Sequence, residues 1–311
     1  MNASLAFFFP GQGSQSKGML ADFLAHETIV QTTFEEASDS LGYDMQALVL
    51  QDEASQLDQT QYTQPALLTA SIAMFRAWKE RGGVIPAHMA GHSLGEYSAL
   101  VAADVIDFSD AVRLVSFRGQ AMVSAVPHGV GKMAAIIGLD DDKLVDLCTE
   151  VSSTHEKVWA ANFNCPGQLV VAGHAAAVEK LMLAAKESGA KRALALAVSA
   201  PSHTPLMEPA ADAMQEKLSQ LTLNTPVCQV WSNARACALN DVNDIRAALV
   251  EQLISPVRWT ESVQAMAQLG VTSAVEMGAG KILSGLVRRI DKTLSMAVVS
   301  TPQMMDKAVN L

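Results

Sequence analysis

Continuous apolar runs and helically spaced apolar residues alternate along the first part of the chain. Residues 5–9 are apolar without interruption, which is typical of a strand buried on both faces, and they lead into a glycine-rich loop at 10–15. Helical spacing follows at 34–41 and 64–81, and residues 86–91 form the next predicted strand. Strands and helices in this order predict a mostly parallel sheet with helices packed on its faces.

A different order of elements begins after residue 127, where a proline and two glycines interrupt a helical pattern. The predicted elements are strands at 133–138, 158–161, 169–172 and 193–198, and helices at 140–151 and 175–188. The order is βαββαβ, which is the ferredoxin-like plan. We therefore predict a small subdomain at 128–198, inserted into a large domain made of 1–127 and 199–311.

The pattern of the large domain returns after the insertion. Its predicted elements are helices at 205–221, 241–253, 260–268 and 282–290, and strands at 227–232 and 273–277. The predicted fold class is α/β, with a hydrolase-like core built on a mostly parallel sheet and an inserted ferredoxin-like subdomain.

Composition narrows the possible partners and compartments. The 311 residues are 50% hydrophobic and 17% charged, enough apolar material for a large core. The net charge of −10 and the absence of a basic block argue against a nucleic-acid partner. The apolar run at 5–9 is too short for a signal peptide or a membrane span, and the four cysteines lack metal-site spacing. We expect a cytoplasmic protein with no membrane association, no disulfide and no metal.

The sequence Gly91-His92-Ser93-Leu94-Gly95 lies between a predicted strand and a predicted helix. Gly-x-Ser-x-Gly in that position is typical of a nucleophile elbow, a sharp turn that exposes the serine. The Leu94 N–H, at the start of the helix, would then stabilise an oxyanion. An ordinary glycine-rich turn between strand and helix is an equally good interpretation of the pentapeptide alone.

A serine nucleophile needs a base, and His203 is the best placed of the seven histidines. It follows the last predicted strand of the insertion, where the chain re-enters the large domain and can face the elbow. No carboxylate stands out as a third member of a triad, and a backbone carbonyl could orient the imidazole instead.

Two other features allow more than one interpretation. The loop at 10–15 lacks the lysine and the glycine spacing of a phosphate-binding loop, so a second oxyanion donor, with Gln12 as candidate, is favoured. Arg118 follows the elbow on a predicted helix at 108–126. A single arginine on a helix is usually a solvated charge, although this one lies close to the elbow in sequence.

Six motifs in this order give the chain a resemblance to the malonyl-CoA:acyl carrier protein transacylases of bacterial fatty-acid synthesis. They are Pro10-Gly11-Gln12-Gly13-Ser14-Gln15, Gly91-His92-Ser93-Leu94-Gly95-Glu96, Phe117-Arg118-Gly119, Asn162-Phe163-Asn164-Cys165-Pro166-Gly167-Gln168, Pro201-Ser202-His203 and Gln252-Leu253-Ile254-Ser255-Pro256-Val257-Arg258-Trp259. The similarity covers nearly the whole chain. It departs from the family pattern at Cys165, where serine is common, and at Ala279, where proline is usual.

The resemblance implies a role for each of several residues. Ser93 would carry the acyl group, His203 would be its base, and the main-chain carbonyl of Gln252 would hold His203. Gln12 and Leu94 would supply the oxyanion amides. Substrate binding would fall to Arg118, which would bind the malonyl carboxylate, and to His92 and Asn162.

The implied reaction moves a malonyl group from malonyl-CoA to the pantetheine thiol of acyl carrier protein, with no cofactor beyond the CoA thioester itself. Carrier proteins are acidic by family resemblance, so an acidic enzyme needs a local basic patch to bind one. The candidates are Lys191, Arg192, Arg288 and Arg289. Alternative functions are a serine esterase or thioesterase, and a discrete polyketide-pathway acyltransferase.

Overall fold

The apolar run near the start of the chain lies at the centre of the larger of two sheets. The computed structural model describes residues 1–198 and 200–309. The large sheet has the order β10-β9-β1-β2-β7-β8 and is parallel except for β8. Its strands are β1 (Asn2–Phe9), β2 (Pro86–Gly91), β7 (Gln229–Trp231), β8 (Ala238–Leu239), β9 (Ser273–Glu276) and β10 (Ser295–Val298). The mostly parallel sheet predicted from the sequence is confirmed.

Helices cover both faces of this sheet. In chain order they are α1 (Ala21–His26), α2 (Thr28–Leu41), α3 (Met45–Leu50), α4 (Thr60–Glu80), α5 (Gly95–Ala102), α6 (Phe108–Ser124), α9 (Glu208–Ser219), α10 (Val242–Ile254), α11 (Trp259–Gln268), α12 (Ile282–Ile290) and α13 (Pro302–Val309). Successive side chains of a strand point to opposite faces, so Phe7 and Phe9 enter one apolar core and Phe8 enters the other. All three are fully buried, as the uninterrupted apolar run predicts.

The smaller sheet is antiparallel and has the strand order β4-β5-β3-β6. Its elements are β3 (Gly131–Ile137), α7 (Asp141–Val151), β4 (Val158–Cys165), β5 (Gln168–His174), α8 (Ala175–Glu187) and β6 (Arg192–Ala195). This order is the ferredoxin-like arrangement of a βαββαβ unit. Helices α7 and α8 pack on one face of the sheet, whereas Met133 and Val170 on the other face line a cleft.

All four strands of the small sheet lie between residues 128 and 198, the limits predicted for the inserted subdomain. Ser199, where the second segment of the large domain was predicted to begin, lies outside the described residues. The small sheet meets the large domain through β4, because a β-bridge joins Asn162 to Val257 and the Phe163 N–H donates to the Val257 carbonyl at 2.9 Å.

Several element limits differ from the sequence prediction. The helix predicted at 205–221 is a short 3-10 turn, Pro205–Met207, followed by α9. The strand predicted at 193–198 ends at Ala195, although the Leu196 N–H still donates to the Met133 carbonyl. No membrane-length apolar helix occurs in the part of the chain that the structure describes.

Candidate active site

The first strands of the large sheet bring two loops together at their carboxyl ends. Phe9 and Gly91 are paired in register, so the loop after β1 lies beside the turn after β2. A Cβ atom added to Gly95 would come within 2.0 Å of the Phe9 carbonyl oxygen, and one added to Gly91 within 1.8 Å of the Gly95 carbonyl carbon. A side chain at either position would clash with this backbone, so both residues must be glycine. The turn holds the Ser93 backbone in the left-handed region, at φ 51°.

Ser93 and His203 are hydrogen-bonded. The Ser93 Oγ lies 2.8 Å from His203 Nε2, and His203 Nδ1 lies 2.7 Å from the main-chain carbonyl oxygen of Gln252. A carbonyl can only accept a hydrogen bond, so Nδ1 carries the proton and Nε2 offers its lone pair to the serine hydroxyl. This geometry is that of a nucleophile, a general base and a group that orients the base.

His203 is neutral at physiological pH. Burial, together with the nearby Arg118 charge, lowers the pKa of His203 to about 3, and the Gln252 and Ser255 carbonyls act in the opposite direction. Its backbone is also in the left-handed region, at φ 61°. Two non-glycine residues with strained backbone thus face each other across one hydrogen bond, and such strain is typical of active sites.

Arg118 lies in the same cluster, and its side chain is almost completely buried. Its Nη1 donates to the Gln64 side-chain oxygen at 2.8 Å, and its Nη2 donates to Gln252 Oε1 at 2.8 Å and to Ser93 Oγ at 3.3 Å. The guanidinium carbon lies 5.3 Å from the centre of the Tyr97 ring. No carboxylate forms an ion pair with Arg118 among the described residues, and its Nε donates to none of them.

Gln252 joins Arg118 to a buried acid. The Gln252 Nε2 donates to Glu96 Oε2 at 2.7 Å and to the Ser93 carbonyl at 3.0 Å. The same Glu96 oxygen accepts the Asn233 N–H at 3.0 Å. Burial raises the pKa of Glu96 to about 7, against the opposing effect of its hydrogen bonds and of Arg118. One amide side chain therefore connects the guanidinium, the nucleophile's backbone and a carboxylate.

Asn233 determines which amides remain available at the elbow. Its Oδ1 accepts the Ser93 N–H at 2.6 Å, and its Nδ2 donates to the Gly91 carbonyl at 2.6 Å. The Leu94 and Gln12 N–H groups donate no hydrogen bond within residues 1–198 and 200–309, while the Gln12 side chain bonds to Thr60 at 3.3 Å. The predicted oxyanion pair thus has free donors, one in each of the two adjacent loops.

These groups line a cleft between the large and small sheets, with a cavity volume of about 190 Å³. His92 and Asn162 both lie in its wall. The His92 Nε2 is 2.7 Å from Asn164 Oδ1, and its ring lies 5.8 Å from that of Trp259. The wall nearer the small sheet is mainly apolar and includes Met133, Val170, Leu196 and Val198.

The sequence matches a known family over most of its length. The model of the acyl transferase domain matches residues 6–302. The malonyl CoA-acyl carrier protein transacylase of Escherichia coli (strain K12) is 53% identical over 306 residues, which are 98% of this chain and 99% of that protein. This chain belongs to the acyl transferase family, among the malonyl CoA-acyl carrier protein transacylases.

Solved structures of this family agree with the fold. The transacylase of Coxiella burnetii is 44% identical, with a TM-score of 0.97 over 100% of this chain and 98% of that one. A malonyl-transacylase solved in complex with its type II polyketide-synthase acyl-carrier protein is 50% identical, with a TM-score of 0.97 over 99% of both chains. The family and the fold class predicted from the sequence are confirmed.

The four basic residues predicted to bind the carrier protein are exposed and lie at one end of the small sheet. Ile137 pairs with Arg192 on one side and with Gln168 on the other, so the three lie in a row across the sheet. The Arg289 side chain, on α12, donates to the side-chain oxygen of Gln168. Lys191 and Arg288 are the chain neighbours of Arg192 and Arg289, and Gln168 is one of the residues that line the cleft.

Three residues of the network were not predicted as site residues. Asn233 directly follows the strand predicted at 227–232, and residues at the carboxyl ends of parallel strands meet at one edge of the sheet, so its position was a usable signal. Glu96 belongs to the elbow motif itself, yet a glutamate in the first turn of a helix is usually an exposed charge. Gln64 is one polar residue inside the long helix α4, and nothing in its sequence neighbourhood distinguishes it.

Proposed function

We propose that this chain transfers the malonyl group of malonyl-CoA to the pantetheine thiol of acyl carrier protein through a malonyl-Ser93 intermediate. The observation that carries the proposal is the position of Arg118. Its buried guanidinium lies 3.3 Å from the nucleophilic oxygen and has no carboxylate partner among the described residues. A free carboxylate attached to an acyl group on Ser93 supplies that partner.

The first half-reaction acylates the serine. His203 Nε2 takes the Ser93 proton as Oγ attacks the thioester carbonyl, and the Gln12 and Leu94 N–H groups bind the oxyanion. The C–S bond then breaks, and His203 returns the proton to the CoA sulfur. Arg118 holds the malonyl carboxylate throughout, while His92 and Asn162 contact the substrate from the cleft wall.

The second half-reaction reverses these steps with a different thiol. The pantetheine thiol of the carrier loses its proton to His203 and attacks the malonyl ester, and Ser93 leaves with the proton. Each half-reaction interconverts a thioester and a serine ester. The proposed chemistry therefore needs only protein groups and the thioester substrates, without a cofactor. We place the reaction in the cytoplasm, because the four cysteines are all free.

A serine esterase or thioesterase shares the serine and the histidine but gains nothing from Arg118. A buried guanidinium near the nucleophile disfavours neutral acyl groups, because it then remains desolvated without a counter-charge. A polyketide-pathway acyltransferase uses the same chemistry, so that alternative differs only in the carrier protein that receives the malonyl group.

For docking of the carrier we propose the basic patch formed by Lys191, Arg192, Arg288 and Arg289. Arg289 contacts Gln168, which lines the cleft, and the apolar lining residues of the cleft, among them Val170 and Met133, suit a pantetheine arm. Charge complementarity with an acidic carrier would increase the rate of encounter despite the net charge of −10.

Intact-mass analysis tests the proposal. Mixed with malonyl-CoA alone, the wild-type protein should gain the mass of one malonyl group, located on Ser93 by peptide mapping. The Ser93→Ala protein should gain none, because it lacks the hydroxyl that forms the ester. Full acylation of Ser93→Ala, or no adduct on the wild type, would contradict the assignment.

A further inference from the structure

Glu96 is a buried carboxylic acid that neither half-reaction uses. The residue is 3% exposed, and its Oε2 accepts hydrogen bonds from Gln252 and Asn233. Both donors belong to residues that hold the nucleophile: Gln252 Nε2 also binds the Ser93 carbonyl, and Asn233 Oδ1 accepts the Ser93 N–H. Glu96 is therefore joined to the backbone of the nucleophile through two residues that it contacts directly.

The Gln252 amide lies between this acid and the substrate-binding cation. Its Oε1 faces Arg118 at 2.8 Å and its Nε2 faces Glu96 at 2.7 Å. The amide cannot rotate by half a turn without placing its N–H₂ group against the guanidinium and its oxygen against the Glu96 oxygen. The two charges are therefore linked through one fixed dipole in a dry environment, where electrostatic effects are strong.

We propose that Glu96 is a positioning residue that takes up a proton from solvent as the malonyl carboxylate binds Arg118. This inference rests on the proposed function of the site. In the free protein Arg118 has no acid in direct contact among the described residues, and Glu96 is the buried carboxylate that its charge stabilises. The malonyl carboxylate then becomes the counter-charge of Arg118 and adds a second negative charge nearby. Both changes favour the neutral form of Glu96.

Among the described residues, few other charged groups act on Glu96. Glu251, on α10, opposes ionisation, and its carboxylate is partly exposed and paired with Arg235 at 2.8 Å. Tyr97, the next residue on α5, has its pKa raised to about 12 by burial and stays neutral. Burial lowers the pKa of both His92 and His203, so both rings are uncharged near pH 7. Arg118 is thus the charged group whose pairing with the malonyl carboxylate changes the pKa of Glu96.

The proton count of the first half-reaction makes this testable. The Ser93 proton passes through His203 to the CoA sulfur, so forming the ester and breaking the thioester neither release nor consume a proton near pH 7. Any proton taken up from solvent must therefore be bound by another group of the protein. With the Glu96 pKa of the free protein about 7, complete neutralisation of Glu96 consumes about half a proton per malonyl-enzyme at pH 7 and almost none near pH 5.5, a range in which the released CoA thiol stays protonated.

The experiment mixes the protein with malonyl-CoA in weakly buffered solution containing a pH indicator, with the malonyl-enzyme counted by intact mass in the same sample. Wild type should show the uptake just described. Glu96→Gln should show none, because glutamine keeps an oxygen that accepts both hydrogen bonds but cannot titrate. The matched control is Glu251→Gln, which removes the same charge at the partly exposed neighbouring site and should leave the uptake in place.

A second arm uses wild-type protein alone. Acetyl-CoA brings no carboxylate to Arg118, so the acetyl-enzyme should form without proton uptake. Malonyl-enzyme formed without uptake in wild type, uptake that persists in a folded Glu96→Gln, or equal uptake with acetyl-CoA would each overturn the inference while leaving the transfer reaction intact. Failure to form any malonyl-enzyme would instead contradict the proposed function.

Discussion

At the scale of single residues, Ser93 Oγ receives two contacts with different consequences. His203 Nε2, at 2.8 Å, is the acceptor for its proton, and Arg118 Nη2, at 3.3 Å, carries a positive charge to where an acyl group would be attached. The neutral state of His203 and the charged state of Arg118 both follow from their chemistry in a buried site, because a guanidinium holds its proton where an imidazole does not.

Removal of the imidazole tests the first of these contacts. We expect His203→Ala to slow acylation by malonyl-CoA roughly 10²–10⁴-fold, the usual effect of losing a general base, without abolishing it. Single-turnover acylation followed by rapid quench and intact mass gives the rate. His128→Ala, an exposed histidine at the junction before β3, is the matched control and should react at the wild-type rate. A wild-type rate in His203→Ala would exclude His203 as the base.

The sequence predicts the reacting residues better than the residues that support them. Ser93 and His203 could be proposed because Gly-x-Ser-x-Gly between a predicted strand and a predicted helix is typical of a nucleophile elbow, and because His203 follows the last predicted strand of the insertion. Asn233, Glu96 and Gln64 are polar residues whose roles depend on which chain segments come together in the folded protein. A single glutamine or glutamate in a helix carries no local signature of that proximity.

At the scale of elements, the position of the site follows from the parallel strands. The loops after β1, β2 and β7 all leave from the same edge of the sheet, and they carry Gln12, Ser93 and Asn233. The long apolar and amphipathic segments were predictable because burial imposes a period on their side chains. The sequence did not predict strands β8 and β10 or helices α1, α3 and α13, which have two to eight residues each, too few for a clear period.

The carrier-binding prediction belongs to this scale, because strand β6 and helix α12 contribute the patch together. We expect the double variant Arg192→Glu with Arg289→Glu to raise KM for acyl carrier protein about tenfold or more, since like charges would then face an acidic partner. Acylation by malonyl-CoA alone should be unchanged. Steady-state transfer at varied carrier concentration gives the first quantity, and intact mass gives the second.

The control for this pair reverses two charges elsewhere. Lys79 lies at the end of α4, just before β2 begins, and Lys307 lies on α13, whose neighbour Asp306 pairs with Arg81. Lys79→Glu with Lys307→Glu changes the net charge equally, near the edge of the sheet where β2 begins, whereas the site lies at the edge where β1 and β2 end. An equal rise in KM in both double variants would show a general charge effect and would remove the patch from the account.

At the scale of the whole molecule, function depends on how the small sheet sits over the large one. On the side of the large domain the cleft is lined by Arg118 and its hydrogen-bond partners. On the side of the small sheet it is lined by apolar residues such as Met133 and Val170. The sequence predicted both parts and their order, and it could not give the way they meet, because the Asn162–Val257 bridge joins residues far apart in the chain.

The most direct test of this account is the selectivity ratio of the enzyme, kcat/KM for malonyl-CoA divided by kcat/KM for acetyl-CoA, in wild type and Arg118→Ala. We expect Arg118→Ala to lose about 2–5 kcal/mol for the malonyl group, the scale of a truncated buried ion pair, while acetyl transfer stays level or improves. Arg113→Ala, an exposed arginine on the same helix paired with Asp110, should keep the wild-type ratio. Melting curves confirm that each variant is folded. A folded Arg118→Ala enzyme with an unchanged ratio would contradict the central claim.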